Sequence, residues 1–350
     1  MKGDTFRFIP VEVENKGGIS QRVMRMTEAE FDANHCYFHN RSFTPDDKMM
    51  IFESTRDGGK NLFAMDLETN VVTQLTENRD LDYFAYPSRD GKRVFFGADG
   101  CIRAVDLDTL EEEVIIDAQK LVSEKVTKCS GAFPSWDGKK IVCFYEASPD
   151  FGLIVKNFET GEEEIIVHGV QPVRHCQFCP NDHDLILYAH EGDWNKIRAR
   201  MWFIQSDGSN NRRVRDHDDG DYEQAGHEFW GNTKRRAYFT VRREGRVFFS
   251  YFDVDENRET TMFELDNEHG TITMDDRYII CDSKRGDGEM YMVKIATNEV
   301  RVLCYHRMSW KPDRFMYHPH VTVSYKTNKA IFTSDTTGVG CVYIADIPEF

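Results

Sequence analysis

A tight-turn signal followed at once by an apolar strand recurs seven times along the chain, and this repeat constrains the fold more than any other feature. Asp46-Asp47-Lys48 precedes Met49 to Phe52, Asp90-Gly91-Lys92 precedes Val94 to Phe96, and Asp137-Gly138-Lys139 precedes Ile141 to Tyr145. Asn181-Asp182 precedes Leu185 to Tyr188, and Asn232-Thr233-Lys234 precedes Ala237 to Thr240. Asp275-Asp276 precedes Tyr278 to Cys281, and Thr327-Asn328-Lys329 precedes Ala330 to Thr333. The period of roughly 43 to 52 residues is that of a four-stranded propeller blade.

Each unit continues with a third strand of alternating pattern (Leu62 to Leu67 in the first), a polar turn and a fourth strand such as Val71 to Thr76. Short strands of period two joined by Asp, Gly and Asn turns read as hairpins. Helical periodicity is nearly absent. The last repeat stops after its third strand, at Ile347-Pro348-Glu349-Phe350, whereas residues 20–27 look like a fourth strand with no blade before it. Joining the two completes the seventh blade and removes an open sheet edge. The expected fold is therefore all-β: one seven-bladed β-propeller domain over residues 1–350, closed by an N-terminal strand. Its blades span roughly residues 35–78, 83–118, 128–169, 173–217, 226–266, 269–306 and 317–350. Residues 5–13 form an additional strand or lie along the outside.

Composition narrows the function. No apolar run is long enough to cross a bilayer, and the N-terminus carries no signal core. The formal net charge of −16 argues against a nucleic-acid surface. It also means that an anionic ligand would need local cationic groups. Nine cysteines scattered through apolar strands read as reduced thiols of a cytoplasmic protein. Cys176 and Cys179 have the spacing of a metal or redox pair, but no second pair lies nearby, so they read as strand cysteines.

The histidines are not scattered. In a propeller, binding sites gather where loops lead into the inner strands. His35 and His39 lead into blade one, His175 into blade four, His227 into blade five, His269 into blade six, and His318 and His320 into blade seven. His190 and Arg200 flank the loop between strands two and three of blade four, on the same face. His318-Pro319-His320 is the sharpest case, since residues i and i+2 of a strand share a face. With His269 from the adjacent blade, three imidazoles suit Mn, Fe, Ni, Zn or Cu.

Taken in order, several stretches of the chain resemble the oligogalacturonate lyases of pectin breakdown. They are His35 to Phe52, His190-Glu191-Gly192, Ala199-Arg200-Met201-Trp202, His227-Glu228-Phe229-Trp230, Ser309-Trp310-Lys311, His318-Pro319-His320 and Phe332-Thr333-Ser334-Asp335. The resemblance runs from about Gln21 to the C-terminus. It implies a cytoplasmic seven-bladed propeller that cleaves short galacturonides by β-elimination with Mn²⁺. By position, His227 would be the general base, Arg200 its cationic assistant, and His269, His318 and His320 the metal ligands. Phe315 stands where the family carries a glutamine ligand, and the loop around Ser283-Lys284-Arg285-Gly286 is shorter than the family's.

That chemistry demands such residues. Removing the proton α to a uronate carboxylate requires a cation to neutralise the carboxylate and a base at the proton. A histidine base suits neutral pH, and a nearby Arg200 would favour its neutral form. His35, His190, Arg174, Lys311 and Arg314 are expected to bind the anionic oligosaccharide. Trp230 reads as core, as does Trp310, with sugar stacking the alternative. Glu228 should point away from His227 along the strand. A propeller glycosidase using carboxylates such as Asp80, Asp82 and Glu223, a non-catalytic sugar-binding propeller, and a lyase acting on another uronide remain alternatives. Oligomeric state leaves no trace in the sequence.

Overall fold

A computed structural model describes residues 1–15, 19, 21–77, 81, 85–193, 197, 199–215 and 223–349, the side chains of 314–316 excepted. The seven turn signals each fold as expected, and seven antiparallel sheets of four principal strands result, as in a seven-bladed β-propeller. Among the described residues, helix is confined to the single turn Ala118–Leu121 and the 3₁₀ segment Pro312–Tyr317. Two compact units divide the chain. Blades one, six and seven belong to the first unit, blades two to five to the second.

In the first unit, blade one comprises Ala33–His35, Met49–Ser54, Asn61–Asp66 and Val71–Gln74. Blade six comprises Gly270–Ile272, Tyr278–Asp282, Glu289–Lys294 and Glu299–Tyr305. Blade seven is built from Thr322–Val323, Lys329–Ser334 and Cys341–Asp346, and its fourth strand is Val23–Arg25 from the other end of the chain. Val23 pairs with Ala345, Met24 with Ile344 and Arg25 with Tyr343. The expected closure is thus present. The N-terminal segment goes further than the sequence decided: Thr5–Arg7 adds a fifth strand to blade one, and Val11–Val13 a fifth to blade seven.

Within each unit the middle strands are apolar where neighbouring blades pack face to face. Ile280, Met290 and Met292 of blade six pack with Ala330, Phe332 and Tyr343 of blade seven. On the other side of blade seven, Ile331, Val342 and Ile344 pack with Met50, Phe52, Phe63 and Met65 of blade one. In the second unit the same rule joins Phe95, Ile102 and Ala104 of blade two to Ile141, Cys143 and Tyr145 of blade three. It also joins Leu187 and Phe203 of blade four to Phe239 and Phe252 of blade five. All nine cysteines are buried free thiols, and Cys176 and Cys179 sit in the inner strand Val173–Cys179 of blade four, as strand cysteines should.

The seam between blades seven and one carries a polar latch. Asp47 is 6% exposed and sits in the left-handed region at φ 60. Its carboxylate accepts the backbone N–H groups of Tyr325, Lys326 and Thr327 at 2.8, 2.6 and 2.9 Å, and the Thr327 hydroxyl at 3.1 Å. Removing the charged acceptor takes away four part-buried hydrogen bonds at once, and charged hydrogen bonds are individually strong. Asp47→Ala should therefore cost about 3 kcal/mol of stability and Asp47→Asn clearly less, as read by denaturant titration of the full chain.

Candidate active site

The first unit brings His269, His318 and His320 together. His269 immediately precedes the inner strand Gly270–Ile272 of blade six, and the other two lead into Thr322–Val323 of blade seven. One ring nitrogen from each lies within 4.8 Å of the others, a spread only slightly above twice the ~2.1 Å metal–nitrogen bond. The expected reason for their meeting is corrected, however. His318 and His320 are not in a strand; His320 has φ 43, and this left-handed turn, not strand alternation, aims its ring.

The surroundings suit a cation. Asp282, fully buried at the end of Tyr278–Asp282, accepts from His269 Nδ1 at 3.0 Å and from the His269 backbone N–H at 2.9 Å. Burial opposes ionisation of Asp282, but its electrostatic interaction and hydrogen bonds with His269 outweigh it and hold the carboxyl below its ordinary value. A carboxylate can only accept, so His269 carries its proton on Nδ1 and presents the Nε2 lone pair, the usual arrangement of a carboxylate-backed metal ligand. Burial first, and then the neighbouring His269, push His318 down to about 4, leaving it neutral, the form that ligates. The donor set therefore fits a divalent ion. Phe315, at the family's glutamine position, lies outside the described side chains.

His35 is corrected from substrate contact to support. It is fully buried, with Nε2 2.9 Å from the His320 carbonyl and Nδ1 2.6 Å from the Thr333 hydroxyl. Burial lowers it to about 4, so it is neutral; the carbonyl only accepts, and the proton is on Nε2. His35 thereby anchors the backbone of His320 in its strained turn. Trp310 is half-buried with its ring centroid 4.4 Å from His318, while Lys311 is exposed. Arg314 belongs to the 3₁₀ segment, and its side chain lies outside those described.

In the second unit three of the inner strands share an irregularity. Strands Lys128–Pro134, Val173–Cys179 and Glu223–Trp230 each place two residues opposite one on the neighbouring strand, between Ser130 and Phe133, Arg174 and Gln177, and Gly226 and Phe229. The first extra residue is left-handed in all three: Gly131 at φ 69, His175 at φ 55 and His227 at φ 53. In blade three only glycine fits, because a Cβ on Gly131 would meet the Phe144 ring at 2.8 Å. Blades four and five put an imidazole at the equivalent place, at a cost of about 1–2 kcal/mol each. The residue that follows His227 in the bulge is Glu228. It is 1% exposed and faces Arg200, with Arg200 Nε 3.4 Å from Oε2.

Arg200, buried before Met201–Gln205, is held on its other side by Glu191 Oε1 at 2.9 Å. The same Glu191 oxygen lies 3.0 Å from His175 Nε2. Burial opposes it, yet Arg200 and His175 drive the Glu191 carboxyl well below the ordinary carboxylate range. The charge of Arg200 is thus met by two carboxylates. His190 lies tilted against Trp202 (centroids 5.0 Å); burial, and secondarily Arg200, lower its pKa. Arg174, expected to bind substrate, is engaged by Glu146, with Nε at 3.1 Å and Nη2 at 2.6 Å from Oε1. Trp230 is core, donating to the Gln177 carbonyl at 3.1 Å. Glu223 is ion-paired to Arg215, and Asp80 and Asp82 lie outside the described residues.

Asp282 and Glu191 were not singled out from sequence. Asp282 had a signal, a lone carboxylate ending the apolar run Ile279-Ile280-Cys281; Glu191 stood inside a motif without a role.

A profile of the oligogalacturonate lyase family matches residues 7–350. The oligogalacturonate lyase of Dickeya dadantii (strain 3937) is 29% identical over 93% of each chain. Among solved structures, an oligogalacturonate lyase in complex with manganese superposes with a TM-score of 0.89 at 26% identity, over 99% of this chain and 98% of that one. The oligogalacturonate lyase of Vibrio parahaemolyticus gives 0.88 at 26% identity, over 100% and 99%. Fold, motifs and matched length agree, and the chain belongs to the oligogalacturonate lyase family of carbon–oxygen lyases.

Proposed function

We propose that this protein cleaves short oligogalacturonides by β-elimination, with a divalent metal held by His269, His318 and His320. The observation that carries this reading is the three-imidazole set backed by the buried Asp282 carboxylate, in a chain of this family. A cation bound there, Mn²⁺ by similarity to the manganese complex, supplies the positive charge that neutralises a uronate carboxylate and acidifies the adjacent C–H.

The remaining work belongs to the chain. His227 takes the proton at C5, and imidazole suits the task because its ordinary pKa of about 6.5 leaves a lone pair available at neutral pH. Its left-handed bulge fixes where the ring projects. Arg200 keeps a permanent charge, and Glu191 and Glu228 hold its fork in one orientation. His190 and Lys311 are proposed to contact the sugar chain, with Arg174 able to do so from its pairing with Glu146. Buried, unpaired thiols throughout support a cytoplasmic setting. Among the described residues, no helix is long and apolar enough to cross a membrane.

The purified protein, supplied with Mn²⁺ and oligogalacturonides, should yield an unsaturated uronide with ultraviolet absorbance; a saturated hydrolysis product would reject the lyase. His227→Ala should lower kcat by about 10²- to 10⁴-fold with bound metal unchanged. For the metal set, His318→Ala and His320→Ala should reduce metal content by elemental analysis. Asp282→Asn should weaken metal affinity about 10- to 100-fold; wild-type metal binding in all three variants would refute the assignment.

A further inference from the structure

We propose that His175, held by Glu191, is the catalytic acid that protonates the departing glycosidic oxygen. This assignment rests on the lyase reading above and supplies a step which that reading leaves without an actor.

The case begins with backbone. His175 and His227 occupy the same left-handed bulge position in the inner strands of blades four and five. These strands are joined directly: Gln177 Nε2 donates to the Glu228 carbonyl at 2.8 Å, and Trp230 Nε1 to the Gln177 carbonyl at 3.1 Å. Gln177 is two residues beyond one bulge histidine and Glu228 one beyond the other. One backbone device therefore presents two imidazoles from adjoining strands. A left-handed histidine is strained, and two in register are hard to explain by packing alone.

Their surroundings differ in the way a base and an acid should. His175 Nε2 lies 3.0 Å from Glu191 Oε1, and Glu191 is itself fixed by its backbone N–H donating to the Pro172 carbonyl at 2.8 Å. A carboxylate at one ring nitrogen orients the imidazole and holds the N–H on that side, so in the proposed role the proton delivered to substrate is the one on Nδ1. The charged groups packed around this pair are Arg200 and, through it, Glu228; Arg174, next in sequence, is paired with Glu146. Glu191, Glu228 and Arg200 together carry one excess negative charge, which a protonated His175 cancels.

Other candidates among the described residues of this unit fit less well. Arg200 does not release a proton near neutral pH. Burial holds His190 neutral. Burial pushes Tyr145 and Tyr188 up to about 12, and their hydroxyls are engaged with His168 and Asn211. His183 pairs with Asp137 at the far end of the strand Asp182–His190.

The step balances without a further reactant. His227 accepts the C5 proton, the C5–H electron pair becomes the C4–C5 double bond, and the C4–O4 pair leaves with oxygen. That oxygen takes the His175 proton. His227 ends protonated and His175 neutral, and exchange with water restores both.

The test compares leaving groups in the purified, Mn²⁺-loaded protein. Wild type, His175→Ala, His175→Asn and His227→Ala are assayed on trigalacturonate and on a 4-deoxy-4-fluorogalacturonide, whose fluoride leaves with little need of a proton. Asparagine tolerates the left-handed backbone and can donate to Glu191, yet it transfers no proton; thermal melting confirms that each variant is folded. Both His175 variants should lose about 10²- to 10⁴-fold in kcat on trigalacturonate, less than ~10-fold in fluoride release, and the alkaline limb of the wild-type pH profile. His227→Ala should fail on both substrates. Equal losses on both substrates, or undiminished cleavage of trigalacturonate by His175→Asn, would overturn the assignment. If wild type cleaves trigalacturonate but not the fluoride, the alkaline limb decides: its loss in His175→Asn supports the acid and its retention rejects it. Wild type inert towards trigalacturonate would overturn the lyase reading itself, before any variant is compared.

Discussion

The mismatch of two residues against one in the inner strands is the constraint on which the second unit's chemistry depends. A regular strand would send alternate side chains to opposite faces and bury half of what blades four and five present. The bulge frees one residue per strand from that alternation. Where the position needs no chemistry, glycine fills it, as Gly131 does with no room for a side chain. Where histidine fills it, the backbone is held against its preference by the flanking ladder and by Gln177 and Trp230 bridging the two strands. His320 shows the same principle in the first unit, with His35 as the clamp.

Charge is handled by a parallel logic. Arg200 and Glu228 are almost wholly buried, and an isolated charge there would be prohibitively costly. Each ion has partners: Arg200 lies between Glu191 and Glu228, and Glu191 between Arg200 and His175. In the first unit Asp282 does the same for His269. Polar groups of this kind are fixed before substrate arrives, which is what electrostatic stabilisation of a transition state requires.

Much of this was legible in the sequence because it depends on local rules. The Asp-Gly-Lys and Asn-Thr-Lys turns announce each hairpin, and the truncated last repeat announces a strand from the other end. Which histidines lead into inner strands followed from counting. Orientation did not, since positive φ at His175, His227 and His320 has no mark in an L-residue sequence; only Gly131, in the equivalent place of blade three, hints at it. His318 and His320 were therefore brought together for the wrong reason. His35 was misjudged because its partners, Thr333 and the His320 carbonyl, stand about 285–300 residues away along the chain. The pairing of Arg174 with Glu146 across two blades was beyond a linear reading for the same reason.

The pairing of Val23–Arg25 with Cys341–Asp346 sets an order of events during biosynthesis. Translation proceeds at about 5–20 residues per second, so the early strand waits on the order of 15–60 s for its partner to leave the ribosome. The sixfold series of hairpins between them can form as it emerges, but the ring has no means of shutting in that interval. The nascent protein therefore spends most of its synthesis with that edge of Val23–Arg25 unpaired.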